Sequence, residues 1–202
     1  AEVLLEQAAR IGTKTLVVTG GEPLLHPDIF RITSAAKAHG MAVNVTTNGT
    51  IFAQRAHEIA GVDSLSMSLD GLRDTHDRLR GRPGAFDKTV AALEAARKAG
   101  FHTSVYCTVS RDNVAELPAV FDLARSLGAG FDFWPVNDAP ELYLRSAEDI
   151  RLWRAGVDHV AAHHRDVAAR RHFYDEGLRY HAGERGPVRC LGLVDQYGVT
   201  YA

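Results

Sequence analysis

Thr15-Leu16-Val17-Val18-Thr19-Gly20-Gly21-Glu22-Pro23 is the stretch on which the fold turns. Its first half is a short apolar, β-branched run bounded by Lys14 and a glycine pair, the signature of a buried strand. Upstream, Leu4, Ala8 and Ile11 keep helical spacing. Downstream, Pro27 opens a helix over 28–39 with Ile29, Ile32 and Ala36 on one face, and Gly40 stops it. The alternation then repeats. Strands are predicted over 42–47, 64–69, 102–109 and 131–136, and helices over 52–60, 86–99, 113–127 and 147–164, with Ser146 capping the last. Strands alternating with helices of this length imply parallel pairing and right-handed crossovers, hence a (β/α) barrel or a doubly wound sheet.

The composition is that of a globular α/β chain. Of 202 residues, 46% are hydrophobic and 24% charged, which excludes collagen-like, disulfide-scaffold and wholly disordered classes. The net charge of -2 shows no excess that would mark a nucleic-acid or membrane surface, and no run approaches the ~18 apolar residues of a membrane helix. Two cysteines, Cys107 and Cys190, make neither a disulfide framework nor a four-cysteine zinc site. With no signal peptide at the start, a reducing, cytoplasmic setting is expected. The chain opens inside a helical pattern and closes on what reads as a strand leaving a turn, so a segment of a longer protein is expected. Residues 165–189 read as helix plus loop, and 190–201 as a hairpin around Asp195-Gln196-Tyr197-Gly198.

Polar residues gather where ligands sit in parallel α/β folds, at the C-terminal ends of strands. The first strand runs into Gly20-Gly21-Glu22-Pro23, the second into Thr47-Asn48-Gly49, the third into Ser68-Leu69-Asp70-Gly71. The glycines let backbone carbonyls approach a ligand, Glu22 adds an anionic acceptor, and Pro23 fixes the exit of the loop. That set suits a ligand ammonium, at roughly 1.5–3 kcal/mol for a charge-assisted hydrogen bond. Thr47, Asn48, Ser68 and Asp70 offer groups for ribose hydroxyls or an amino-acid carboxylate. Each motif alone is an ordinary turn former; their succession at three strand ends points to a site.

In these motifs the sequence resembles the radical S-adenosylmethionine (radical SAM) superfamily. Thr19-Gly20-Gly21-Glu22-Pro23-Leu24-Leu25 is similar to its GGEP motif, and Thr46-Thr47-Asn48-Gly49-Thr50 to its TNG motif. Ser68-Leu69-Asp70-Gly71, His76-Asp77, Arg80-Gly81 and Gly84-Ala85-Phe86-Asp87 resemble the branch that carries SPASM or twitch auxiliary domains. Thr108-Val109-Ser110, Asn113 and Leu117 fit the strand that follows, and the likeness spans about residues 11–136. The resemblance implies a partial (β/α)6 TIM-like barrel over 1–164 and, over 165–202, a linker and the start of an auxiliary region. It implies S-adenosylmethionine as a small-molecule cofactor. Gly20, Gly21, Glu22 and Pro23 would form the ammonium loop. Thr47, Asn48, Ser68 and Asp70 would lie toward ribose and carboxylate, with Arg80 a further candidate for the carboxylate and Val109 bordering the adenine. It implies a [4Fe-4S] cluster whose Cys-x3-Cys-x2-Cys ligands are absent from this chain, and an electron donor such as flavodoxin or ferredoxin. In the intact enzyme, reductive cleavage to a 5′-deoxyadenosyl radical would abstract hydrogen from a peptide, protein or small-molecule substrate. Arg189-Cys190-Leu191-Gly192 is similar to the opening of a SPASM or twitch region, making Cys190 a candidate auxiliary-cluster ligand; a structural free cysteine is the alternative.

Other readings remain open. A cluster-less binding or scaffold protein on the same fold would keep the pocket without catalysis. A Schiff-base lyase is disfavoured because none of Lys14, Lys37, Lys88 and Lys98 falls at a strand's C-terminal end. Cys107 reads as a core residue, and Trp134 and Trp153 as core or rim aromatics. His159 and His163 sit at a metal-capable spacing but read as a polar helix face. Arg165, Arg170, Arg171 and His172 are offset by Asp166, Asp175 and Glu176, so nucleic-acid binding is not supported.

Overall fold

The structure, a computed structural model, describes residues 2–56 and 61–184. Helix α1 (Glu2–Arg10) leads into strand β1 (Thr15–Val18). There follow α2 (Ile29–Ala38), β2 (Ala42–Thr47), α3 (Phe52–Arg55), β3 (Ser64–Ser68), α4 (Arg73–Leu79), α5 (Ala85–Lys98), β4 (His102–Val109), α6 (Leu117–Ser126) and β5 (Gly130–Pro135). Helices α7 (Ala147–His163), α8 (Arg165–Ala169) and α9 (Arg171–His181) complete the described residues. No helix among them is long and apolar enough to cross a membrane.

Every strand pairs in parallel with the next, in the order β1-β2-β3-β4-β5. A doubly wound sheet reverses its strand order part-way; this one does not. With right-handed crossovers, the connecting helices therefore gather on one face, which makes the sheet an arc of a (β/α) barrel.

The alternation along the strands says which face is which. Val43, Val45, Leu65, Met67, Val105, Cys107, Phe131 and Phe133 point to the helices and pack with Leu93, Ala96, Leu117, Phe121 and Ala124. The other face carries Asn44, Thr46, Ser64, Ser66, Ser68, Ser104, Tyr106, Thr108, Asp132 and Trp134. A parallel sheet sheathed on both sides is apolar on both. Here the concave face is polar: Asn44 Nδ2 donates to the Ser64 and Ser66 hydroxyls at 2.8 and 3.1 Å, and the Ser66 and Ser104 hydroxyls meet at 2.9 Å.

Several elements depart from their expected bounds for physical reasons. α4 lacks an apolar stripe and is held by tertiary contacts instead. Glu116 accepts from the Leu72 N–H and the Thr75 hydroxyl, both at 2.6 Å, and His76 is buried beneath it. The helix expected from residue 113 begins as a tight turn over Val114–Glu116 and becomes α6 only at Leu117, because the side chain of Asn113 is engaged across two strand ends. The helix expected over 52–60 is α3, with 57–60 outside the described residues. Ser146 caps α7 as expected, in a reciprocal box with Asp149 at 3.0 Å each way. The stretch beyond 164 forms α8 and α9, whose Val167, Tyr174 and Leu178 are buried in the same core as the strands. The hairpin expected over 190–201, and Cys190 with it, lie outside the described residues.

Candidate functional site

The loop after β1 turns on its glycines. Gly20 has φ 92° and Gly21 φ 23°, a left-handed path that other residues rarely adopt. A side chain at Gly20 would meet nothing within 4 Å, so the backbone conformation rather than crowding requires glycine there. Among the described residues neither carbonyl of the pair accepts a backbone hydrogen bond, so both remain open to a ligand donor.

Glu22 plays a different part from the one expected. Its carboxylate accepts from the Leu24 N–H at 3.1 Å, the Thr47 hydroxyl at 2.6 Å and the Asn48 N–H at 2.7 Å. Three of its roughly four lone-pair directions are thereby occupied. Glu22 is a clamp holding the glycine loop against the end of β2, and its charge lies behind the loop. Pro23 is buried at the start of a short turn over Pro23–Leu25 and shapes the exit. Thr47 is likewise turned inward, 2% exposed, donating to Glu22 and accepting from the Gly49 N–H at 3.1 Å. Asn48 folds its amide oxygen back onto Thr50, at 2.9 Å to the N–H and 2.7 Å to the hydroxyl. The Asn48 Nδ2 donors are the end left for a ligand. Gly49 has φ 74°, and a Cβ there would sit 3.2 Å from the Thr89 backbone of α5, so a side chain at this position is strained.

At the end of β3 the half-buried Ser68 lies on the concave face, while Asp70 is 7% exposed and fully engaged. One Asp70 oxygen accepts from the Thr108 N–H at 2.9 Å and the other forms an ion pair with the Arg80 guanidinium at 2.6 Å. Asp70 is therefore an anchor for Arg80 rather than a free ribose acceptor. Arg80 keeps a third of its side chain exposed, 33%, so a guanidinium held by Asp70 remains open to solvent. His76, 1% exposed, accepts from the Asp70 N–H through Nδ1 at 3.0 Å and must be neutral to do so. Burial, followed by the nearby Arg80 charge, pushes its pKa below the ordinary 6.5.

Burial corrects one expectation and brings out one residue that sequence reasoning passed over. The Val109 side chain is 0% exposed in the helix-facing core, and its carbonyl accepts from the Val136 N–H at 2.8 Å, so no Val109 side chain borders a ligand. Sequence reasoning also gave Asn113 no role beyond a motif match. Its amide donates to the Asp70 carbonyl at 2.6 Å and the Thr108 carbonyl at 2.8 Å, and accepts from the Ser110 N–H at 2.7 Å. It ties β3 to β4 beneath the site. A polar residue placed just after a strand motif was the available signal.

The sequence up to the end of α6 matches the family model described as Radical SAM superfamily, over residues 1–124. The chain belongs to the radical SAM superfamily. Among curated relatives, it is 42% identical over 133 residues to an AdoMet-dependent heme synthase of Methanosarcina barkeri, covering 64% of this chain and 38% of that protein. An AdoMet-dependent heme synthase of Oleidesulfovibrio alaskensis aligns over 199 residues at 29% identity, 92% of this chain and 51% of that one. A PqqA peptide cyclase of Gluconobacter oxydans is 34% identical over 131 residues, 63% of this chain and 37% of that protein. The chain thus spans about half or less of these relatives' lengths. Among solved structures, Streptococcus suis SuiB bound to S-adenosylmethionine superposes with a TM-score of 0.65 at 16% identity, over 81% of this chain and 40% of that one, a likeness of fold.

The two groups that radical SAM enzymes use fare differently against these residues. S-adenosylmethionine fits: open carbonyls for its ammonium, an anchored guanidinium for its carboxylate and uncommitted amide and hydroxyl groups beside them. The [4Fe-4S] cluster does not. Three thiolates are needed, the sequence has two cysteines, and no cluster of three metal-capable side chains occurs among the described residues. Cys107 is buried in the core, and burial pushes its thiol well above the usual range, which opposes a thiolate ligand.

Proposed function

We propose that this chain is the S-adenosylmethionine-binding part of a radical SAM enzyme, and that it holds the amino-acid end of that molecule at the C-terminal ends of β1 to β3. The observation that carries the reading is the pairing of two unoccupied carbonyls, at Gly20 and Gly21, with Arg80 pinned by Asp70. The Gly20 and Gly21 carbonyls accept from the ammonium, with the Glu22 charge behind them. Arg80 takes the carboxylate in a two-pronged contact, and Asn48 Nδ2 and the Ser68 hydroxyl face the ribose or the carboxylate. Thr47, Pro23, Asp70, His76 and Asn113 hold these groups in place. Bound S-adenosylmethionine would supply hydrogen-abstracting chemistry only on receiving one electron, which in the superfamily comes from the [4Fe-4S] cluster; this chain's own residues orient it. A reducing cytoplasmic compartment belongs to the same reading.

Two substrate classes come with the relatives' names, tetrapyrroles and peptides. The peptide class is supported by the peptide cyclase likeness and by the fold shared with SuiB bound to its precursor peptide. The tetrapyrrole class is favoured by the heme synthase alignment that runs on through α7 to α9, over 92% of the chain, where the peptide cyclase alignment covers 63%.

Equilibrium dialysis of the chain against S-adenosylmethionine and against 5′-methylthioadenosine, which lacks the amino-acid end, tests the binding mode. Saturable binding of the former is expected, weakened about tenfold or more by Arg80→Gln and by Gly20→Ala, with the latter indifferent to both variants. Equal affinity of wild type and Arg80→Gln for S-adenosylmethionine contradicts it.

A further inference from the structure

The concave face continues past the cofactor residues. The register sets Ser68 of β3 beside Tyr106 of β4 and Tyr106 beside Asp132 of β5, and, one step nearer the strand ends, Thr108 beside Trp134. The α8–α9 junction reaches over this end of the sheet. Arg170 brings Nη2 to 3.7 Å from Asp132 Oδ1, and Phe173 packs edge-on against Trp134, centroids 4.9 Å apart at 82°. The basic cluster whose charge the sequence offsets with Asp166, Asp175 and Glu176 thus places one member, Arg170, beside Asp132 at this end of the sheet.

The chemistry of the group is specific. Arg170 has five N–H donors. Its Nε donates to the Asp166 carbonyl at 3.3 Å, and 3.7 Å to Asp132 is too long for a hydrogen bond, so Asp132 orients the guanidinium without saturating it. The side chain is 47% exposed, leaving donors toward the open face. Burial pushes the Tyr106 phenol above its ordinary 10, so it remains a hydrogen-bond donor at neutral pH. Trp134 is half-buried and offers a flat apolar surface beside these donors, whereas Trp153 is 0% exposed in the core. Asp132, Trp134 and Arg170 all lie beyond residue 124, where the match to the superfamily model ends.

We propose that Tyr106, Trp134 and Arg170, with Asp132 as the orienting carboxylate, form the substrate-side wall of the barrel interior and bind a planar aromatic ring bearing carboxylates, the ring against Trp134 and a carboxylate on Arg170 and Tyr106. The proposal rests on the placement of S-adenosylmethionine at the adjoining strand ends and gives that site its substrate class.

Fluorescence titration of the full chain with a tetracarboxylate porphyrin tests it, because Trp134 is the tryptophan placed to be quenched. Saturable quenching is expected. Arg170→Gln weakens it about tenfold or more, and Arg165→Gln, at an exposed arginine outside the wall, leaves it unchanged. Trp134→Phe diminishes the quench, leaving the share that a bound ring takes from Trp153 by energy transfer. A porphyrin of the same size with cationic groups does not bind, and a ring-free tetracarboxylate does not compete. Equal binding by wild type and Arg170→Gln, or by the cationic ring, overturns the proposal. S-adenosylmethionine dialysis on the same variants separates the two readings. Arg170→Gln is expected to retain wild-type affinity for it, and failure of wild type to bind S-adenosylmethionine, with porphyrin binding still dependent on Arg170, sinks the cofactor placement and spares the wall.

Discussion

The side-chain amide of Asn113 is 4% exposed and closes three hydrogen bonds to backbone groups around the ends of β3 and β4. Removing it strands the Ser110 N–H and takes a donor from the Asp70 and Thr108 carbonyls, and each buried polar group left unpaired costs about 1–3 kcal/mol. Asn113→Ala is therefore expected to lower the urea midpoint clearly. It is also expected to loosen Arg80 through Asp70, so S-adenosylmethionine affinity falls although Asn113 touches no ligand. An unchanged midpoint, or affinity kept in a folded variant, contradicts this role. At this scale the sequence showed which positions matter but not which way they face. Glycines at 20 and 21 were legible as a turn that needs positive φ because φ is a backbone property. Glu22, Thr47 and Asp70 looked like ligand acceptors because a polar side chain at a strand end reads the same whether it meets a ligand or the neighbouring strand. Val109 is the converse, a residue whose motif position was legible but whose inward-facing alternation decides its contacts.

Among the elements, β1 to β5 and α5 followed from local periodicity, which needs no knowledge of neighbours. α4 did not, because the contacts that hold it come from Glu116, far along the chain. α9 was legible only as irregular helix, yet it is fastened firmly. Tyr174 stacks on Phe133 at 4.5 Å, and buried His181 accepts from the Leu144 N–H at 3.0 Å and donates to the Val136 carbonyl at 2.5 Å. At Gly177 a Cβ would come 2.9 Å from the Pro135 ring. Neither a proline ring nor a packed strand gives way easily, so Gly177→Ala is expected to cost about 1–3 kcal/mol through overpacking. Thermal and urea unfolding would show it; wild-type stability in this variant means that α9 does not lie so close to β5.

For the whole molecule, the sheet order and the polar concave face together make an arc of a barrel with a working interior, and they also set its response to acid. His76 and His181 are both held neutral, each by burial first, with pKa values below the ordinary 6.5. The unfolded chain binds more protons than the folded one once the pH falls below that value, so stability rises with pH across this window. Stability is expected to be full above about pH 6.5 and to decline from there toward pH 5, before the carboxylates Asp63, Asp77 and Asp149, which are held below their ordinary 3.8, begin to titrate. Urea midpoints measured between pH 8 and pH 5 check this, and a flat or rising profile toward pH 5 contradicts it. The strand–helix alternation left barrel and doubly wound sheet both open, because local sequence does not encode strand order; the motif resemblance pointed to the barrel, and the order β1-β2-β3-β4-β5 agrees with it.

The central claim is that the C-terminal ends of β1 to β3 grip the amino-acid end of S-adenosylmethionine. A crystal structure of the chain with S-adenosylhomocysteine, which keeps that end, tests it most directly. The expected map places the ligand's amino nitrogen within hydrogen-bond distance of the Gly20 and Gly21 carbonyls and its carboxylate against the Arg80 guanidinium, with Glu22 still bonded to Thr47 and Asn48. A ligand seated elsewhere, or one whose amino-acid end points away from Arg80, contradicts it.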